Sequence, residues 1–284
     1  MKPMLACSCE LTDVRFPCLV QPKLDGIRAI VKDGVVLSRS LKPIRNKHVQ
    51  RLLSHLEGFD GELISGDTFQ QTTSNIMSSD GDDQFVFVIF DNYLIDEEYS
   101  KRWYQLTELV EETDVHFEVI ETRLITDIQQ LKAIESKYLA DGYEGIIIRS
   151  LDSPYKFGRS TIKEGYLLKR KPFSDAEAIV VDFVEQLENT NEQTIDALGH
   201  KKRTTHKELL VPKGTLGSFL VYSKTFGLFN IGTGLGLTDE LRSEIWANKV
   251  SYLGKTITFK YQQIGTDKLP RIPIFLHFRD SDDV

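Results

Sequence analysis

Lys23-Leu24-Asp25-Gly26-Ile27-Arg28 decides how the rest of this sequence is read. A lysine amine is protonated at neutral pH, with an ordinary pKa of about 10.4, and it has no lone pair to attack with until that proton leaves. Burial and neighbouring cations lower a lysine pKa by about 3–5 units in extreme cases, and the neutral amine is then a nucleophile. Beside Lys23 stand Asp25, whose carboxylate can hold a metal or an incoming hydroxyl, and Gly26, where the backbone can turn close to a ligand. Arg28 adds a planar fork of donors suited to ribose or phosphate oxygens. A surface turn is the alternative, because Asp-Gly is a common turn dipeptide. Whether partners follow downstream separates the two readings.

Five further stretches follow. They are Ser38-Arg39-Ser40-Leu41-Lys42-Pro43-Ile44-Arg45-Asn46, Asp60-Gly61-Glu62-Leu63, Phe87-Val88-Ile89-Phe90-Asp91, Tyr143-Glu144-Gly145-Ile146-Ile147-Ile148-Arg149 and Leu167-Leu168-Lys169-Arg170-Lys171. Taken singly, each has a plain structural explanation. Glu62 and Glu144 read as strand-end carboxylates, Phe90 as a core residue closing an apolar run, and Lys169 and Lys171 as a solvated charge run. Taken in order with the hexapeptide, they resemble the motifs of covalent nucleotidyltransferases, and in particular the ATP-dependent DNA ligases of small viruses and phages.

The resemblance implies a role for each position. Lys23 is the nucleophile toward the α-phosphate of ATP, and Asp25, Lys169 and Lys171 complete the catalytic set, the two lysines also favouring loss of the Lys23 proton. Arg28, Glu62, Phe90 and Glu144 join Lys23, Lys169 and Lys171 in holding ATP, with Phe90 stacked on adenine and Glu62 on the ribose or a metal-bound water. Glu62, Glu144 and Asp25 serve Mg²⁺ or Mn²⁺; magnesium usually keeps several waters and needs only one or two carboxylates. Arg39 reads the 5′-phosphate at a nick, with Lys42 and Arg45 near the strand backbone.

The expected fold class is α+β. Residues 1–173 are expected to form a nucleotidyltransferase domain, an ATP-grasp-like adenylation fold of antiparallel sheets with helices, and residues 174–284 a β-barrel OB-fold domain, with a hinge at Pro172-Phe173-Ser174-Asp175. Val49, Leu52, Leu53 and Leu56 have helical spacing and predict a helix over 46–56; others are predicted from 97 to about 112 and, from a Thr126-x-x-Gln129 capping box, up to Gly142. Strands are predicted at 29–37, 85–90 and 145–149. After Pro172 short strands dominate (178–184, 217–223, 255–262), with a helix over 238–249, a pattern that suits an OB-fold. The polar stretch 188–214, containing His200, Lys201, Lys202, Arg203, His206 and Lys207, reads either as a solvated loop or, by resemblance, as a DNA-embracing latch whose Lys201, Lys202 and Arg203 bind phosphates. Lys249 stands where the first P-loop glycine before Gly254-Lys255-Thr256 would belong, so no second nucleotide site is read there.

Composition bounds the remainder. The chain has 284 residues, 40% of them hydrophobic and 27% charged, with a net charge of −7. Basic charge is nonetheless concentrated near the motifs: eight Lys or Arg against two Asp lie between Lys23 and Arg51, and distribution matters more than the total for a nucleic-acid partner. Three cysteines, all within the first 18 residues, cannot close a disulfide framework among themselves, and no apolar run approaches the roughly 20 residues of a membrane span. The expectation is a cytoplasmic monomer, in the host cytoplasm if viral, that acts on nicked double-stranded DNA with ATP and has no membrane partner. An RNA ligase, a GTP-using capping-type transferase, and a non-catalytic nucleic-acid-binding relative are the alternatives.

Overall fold

The computed structural model describes residues 2–110, 116–195, 201–204, 206–232, 234, 236–262 and 268–279. Contacts divide the chain after Lys171 into two compact units. The first contains β1 (Cys7–Ser8), β2 (Cys18–Pro22), β3 (Ile27–Lys32), β4 (Val35–Ser38), α1 (Lys47–Leu53), β5 (Phe59–Ile64), α2 (Phe69–Met77), β6 (Val86–Asn92), α3 (Tyr99–Val110), β7 (Phe117–Val119), β8 (Arg123–Ile125), α4 (Ile128–Ala140), β9 (Ile146–Arg149) and β10 (Leu167–Arg170). They build two five-stranded sheets, ordered β1-β10-β9-β2-β8 and β4-β3-β5-β6-β7. Most neighbours run antiparallel as expected, but β1 joins β10 and β7 joins β6 in parallel.

Local chemistry explains where the elements depart from the sequence reading. The strand expected over 29–37 is a hairpin, because Asp33 and Gly34 both take positive φ (52° and 71°), the turn geometry that matches strand twist. Glu57 accepts from both turn amides, at 3.0 and 3.1 Å. The helix expected to start at a Thr126 capping box is capped instead by Asp127, whose carboxylate accepts from the Gln129 and Gln130 amides at 2.8 and 2.9 Å; a charged acceptor outcompetes a hydroxyl there. Helix α2 was not expected, although Thr68 and Gln71 form its reciprocal capping box. The last residues of the helix expected over 97–112 lie outside the described residues.

Strand alternation assigns each sheet a core face and a polar face. Ala29, Val31, Leu63, Phe87 and Ile89 pack with Val49 of α1, Ile76 of α2 and Leu106 of α3. Cys18, Val20, Ile146, Ile148 and Leu168 pack with Leu131, Ile134 and Tyr138 of α4. Residues of opposite parity, Gln21, Arg28, Asp60, Glu62, Arg149 and Lys169, are therefore left on the faces turned away from the two helix-backed cores. A buried cluster ties the sheets together: Asp91 of β6 accepts from Arg102 of α3 at 2.8 and 3.2 Å and from Arg149 of β9 at 2.6 Å.

The second unit contains β11 (Ser174–Asn189), β12 (Gln193–Ile195), β13 (Lys201–Arg203), β14 (Leu210–Ser223), β15 (Gly227–Ile231), α5 (Asp239–Ala247), α6 (Lys249–Tyr252), β16 (Thr256–Tyr261) and β17 (Ile274–Phe278). Its sheet order is β15-β14-β11-β16-β17, antiparallel throughout. Phe219, Phe229, Phe259 and Phe275 fill its core with Ile245 of α5. The five strands expected of an OB-fold are present, but among the described residues β15 and β17 do not pair, so the sheet is open rather than a closed barrel. The described residues of the stretch 188–214 are largely paired: β11 and β14 stay paired out to Asn189 and Leu210, and β12 and β13 pair antiparallel beyond them. His200 lies outside the described residues. Of the four expected hinge residues, Ser174 and Asp175 already belong to β11 and pair with Tyr261 and Lys260. Among the described residues no helix is long and apolar enough to cross a membrane.

Removing Asp91 would strand two buried guanidinium groups. Asp91→Ala is expected to lower unfolding stability in urea by about 3–5 kcal/mol; a loss below about 1 kcal/mol would mean the cluster does not hold the sheets.

Candidate active site

Lys23 follows directly on β2, and its main chain is pinned beside the fourth motif: the Lys23 amide donates to the Gly145 carbonyl at 2.9 Å and the Glu144 amide to the Lys23 carbonyl at 3.2 Å. Gly145 has φ 147°, and an added Cβ would lie 2.2 Å from the Arg170 carbonyl, which explains the glycine. The pinned backbones bring the side chains together. Glu144 Oε2 lies 2.5 Å from Lys23 Nζ, and Lys171 Nζ donates to Glu144 Oε1 at 2.7 Å. Burial pushes the Glu144 carboxyl up, but the Lys23 and Lys171 ammoniums outweigh it and hold the group below its usual range.

Alternation along β10 and into the residue after it sorts the basic triplet 169–171. Arg170 turns to the α4 side, 2.8 Å from Glu135 and 3.1 Å from Glu10, while Lys169 and Lys171 turn to the site. Burial lowers both lysine pKa values; at Lys169 the charges of Lys23 and Lys171 add to it, whereas at Lys171 hydrogen bonding to Glu144 opposes it. Asp25 also acts on Lys171 through its charge. Lys23, Glu144, Lys169 and Lys171 are thus one electrostatic group.

A second group forms on β3, β5 and β6. Arg28 pairs in register with Glu62, and Glu62 feels both Arg28 and Lys23, yet burial dominates and pushes its carboxyl up to about 7. Arg28 gives its Nε and Nη2 to Asp60 at 2.7 and 2.5 Å. That edge is therefore committed within the protein, and a ligand would meet Nη1 or the guanidinium face. Phe90 stands where the β5–β6 register slips: Asp60 pairs with Asp91 and Gly61 with Ile89, so Phe90 is the extra residue of a bulge, a device that re-aims a side chain. Its half-buried ring carries Arg28 at 4.9 Å and Arg149 at 5.6 Å.

The expected nucleic-acid residues are dispersed. Arg39 and Lys42 are exposed on the turn after β4, where Leu41 has φ 57° and Leu41 N–H donates to Ser38 O at 2.8 Å; Arg45 is exposed just before α1. Arg39 is close enough to act on Lys169, which joins it to the lysine group. Arg159, given no role in the sequence reading, acts there too. In the second unit Lys201, Lys202 and Arg203 are all exposed on β13, but Arg203 is engaged by the carbonyls of Asn189 and Asn191 at 3.3 and 2.7 Å.

Among the described residues no three His, Cys, Asp or Glu side chains cluster as a ready metal cage. The oxygen donors present still fit a hydrated magnesium-type ion: Glu62, desolvated and raised in pKa, is a carboxylate that gains from a nearby cation. Reading the sequence missed Asp60, Tyr155, Asp91, Arg102, Tyr99 and Gln21. The available signal was a charged residue ending an apolar run, as at Phe90-Asp91.

A lysine–glutamate–lysine core in one unit and an open five-stranded sheet with a basic hairpin in the other define a two-module nucleotidyltransferase architecture. Residues 3–171 match the family model described as ATP dependent DNA ligase domain, and residues 211–279 match the DNA ligase OB-like domain. The chain belongs to the ATP-dependent DNA ligase family. A crystal structure of chlorella virus DNA ligase-adenylate is similar to it, with 35% identity, 99% of each chain covered and a TM-score of 0.57. A structure from a study of Lig E DNA ligases shares the fold at 24% identity, covering 98% of this chain and 99% of that one, with a TM-score of 0.77. The DNA ligase of African swine fever virus (strain Badajoz 1971 Vero-adapted) is 26% identical over 186 residues, which is 59% of this chain and 44% of that protein. The chain thus spans less than half the length of the curated relatives it matches.

Glu62 gives a pH-dependent prediction. A carboxyl raised to about 7 when folded and near 4.3 when unfolded makes the folded state bind the proton more tightly, so stability falls as pH rises between those values. In metal-free buffer, Glu62→Gln is expected to match the wild type in melting temperature at pH 4 and to exceed it by on the order of 4 kcal/mol in stability at pH 8. Parallel pH profiles for the two proteins would refute the assignment.

Proposed function

We propose that this chain is an ATP-dependent DNA ligase that seals 3′-hydroxyl/5′-phosphate nicks in duplex DNA. The observation that carries the reading is Glu144 bridging Lys23 and Lys171 beside Lys169, inside a chain of this family. Attack requires the neutral amine, so Lys23 first gives up a proton, for which Glu144, 2.5 Å away, is the adjacent acceptor. Lys23 Nζ then bonds to the α-phosphorus of ATP, the bond to pyrophosphate breaks, and a lysine-AMP phosphoramidate remains. Lys169 and Lys171 balance the charge that develops on the α-phosphate, ordinarily the largest contribution in such a site. The adenylate passes to the 5′-phosphate of the nick, the 3′-hydroxyl attacks that phosphorus, and AMP leaves.

In this reading Phe90 stacks on adenine, while Arg28 and Glu62 face the ribose. Glu62, Glu144 and Asp25 are the carboxylates that would hold Mg²⁺ or Mn²⁺, which when bound neutralises phosphate charge. Asp25 positions the metal or the attacking hydroxyl. Arg39 meets the 5′-phosphate, with Lys42 and Arg45 on the flanking strand. Residues 1–173 serve as the adenylation module and 174–284 as the OB-fold module, whose hairpin with Lys201, Lys202 and Arg203 grips the duplex. We assign the protein to the cytoplasm as a monomer; its three cysteines are free thiols.

Two measurements test this. Intact mass after incubation with ATP and magnesium is expected to show one added AMP, absent in Lys23→Ala, and the adduct is expected to seal nicked DNA; an adduct formed from GTP in place of ATP, sealing of RNA alone, or no adduct would each overturn the reading. For the hairpin, each phosphate contact contributes about 0.9 to the slope of log affinity against log salt. A Lys201→Ala, Lys202→Ala double variant should reduce that slope by about 2 in nicked-duplex binding, and an unchanged slope would remove the hairpin from the interface.

A further inference from the structure

We propose that Tyr155, which lies between β9 and β10 outside every motif, is a positioning residue for nucleotide binding: its hydroxyl fixes Asp60 and, through Asp60, the guanidinium of Arg28. The role rests on the reading of Lys23 as the residue that ATP adenylates.

The hydrogen-bond directions leave little choice. The Met4 backbone N–H reaches Tyr155 Oη at 3.3 Å and can only donate, so the phenol oxygen accepts there and its own proton is directed to Asp60 Oδ2, 2.6 Å away. Asp60 is wholly buried, and its carboxylate holds Arg28 at both oxygens. With Asp60 excluded from solvent, water does not readily replace a lost donor, and a buried carboxylate missing one bond shifts toward the donors it keeps. Arg28 would shift with it, and Arg28 lies over the Phe90 ring. Burial and the neighbouring carboxylate both raise the Tyr155 phenol, so it remains a donor at any working pH.

The same segment reaches the surface. Phe157 is 53% exposed, and its ring lies 5.4 Å from that of Tyr155. It supplies a control: removing Phe157 disturbs the aromatic packing but no hydrogen bond of the relay.

The test is the rate of Lys23-AMP formation against ATP concentration, followed by intact mass. Tyr155→Phe is expected to raise the half-saturating ATP concentration about tenfold, the scale of one hydrogen bond to a charged group, with the maximal rate within about twofold and a cooperative melt kept at a lower temperature. Because the hydroxyl acts through Asp60, adding Tyr155→Phe to Asp60→Asn should change half-saturation by less than about twofold. Phe157→Ala should leave it unchanged. An unaltered half-saturation in Tyr155→Phe, independent effects in the double variant, or an equal effect from Phe157→Ala would each overturn the proposal. Wild type that forms no adduct would overturn the ligase reading itself, a result distinct from normal adenylation that is indifferent to the Tyr155 hydroxyl.

Discussion

Asp91 is wholly buried, and so are the guanidinium groups of Arg102 and Arg149 that it holds. Taking such charges out of water is costly, and the arrangement persists only if their donors and acceptors are met. Arg102 meets this condition through the carbonyls of Glu97 and Ser153 at 2.5 and 2.9 Å, and Arg149 lies over the Tyr99 ring at 4.2 Å. The hydroxyl of that ring in turn donates to the Phe90 carbonyl at 3.1 Å and receives Gln21 Nε2 at 2.5 Å. Strands β2, β6 and β9 and helix α3 are therefore locked by one polar cluster, and Phe90 sits on it. A flat, half-buried ring at the end of a strand would ordinarily have rotational and lateral freedom; here its main chain and two guanidiniums bound its position.

Asp60 repeats the device one strand away. It faces Asp91 across the β5–β6 pair, and each carboxylate carries an arginine whose guanidinium reaches Phe90. Two adjacent buried carboxylates repel one another, so each depends on its own cations, and neither arginine can leave without exposing the other pair to that repulsion. The bulge at Phe90 permits this. Without the extra residue, strict alternation would put Asp91 on the face of Phe87 and Ile89, in the helix-backed core and away from Asp60.

This is also where sequence and structure part. The motif residues Lys23, Glu62, Glu144, Lys169 and Lys171 were legible because their chemistry is local and their order is informative. Alternation even explains why Arg170, between the two lysines, is structural: the period of two sends it to Glu135. The bulge at Phe90 was not legible, since a slipped register exists only between strands. Asp60 and Asp91 were quoted within motifs but given no role, because a buried carboxylate becomes meaningful only once its arginines, distant in sequence, are known. The Asp33-Gly34 hairpin was legible and passed over, the apolar residues on both sides reading as one continuous strand. The open sheet of the second unit was obscured for a further reason, since strand count and spacing are the same whether or not the edges meet.

The charge balance of the lysine group has a consequence for the order of events. Lys23, Lys169 and Lys171 bring three ammoniums to a space where Glu144 is the carboxylate in direct contact with two of them, and Glu62 is reluctant to ionise. Such a site is short of negative charge, which in the proposed reaction a triphosphate would supply. Before the nucleotide arrives, Glu144 keeps Lys23 and Lys171 from repelling each other and holds both near where the α-phosphate would lie. In the proposed reaction, phosphate oxygens that engaged Lys171 and Lys169 would release Glu144 from Lys171, leaving it a stronger acceptor for the Lys23 proton. A single carboxylate between two lysines thus holds the site compact, and in the proposed reaction the charge of a triphosphate would replace it.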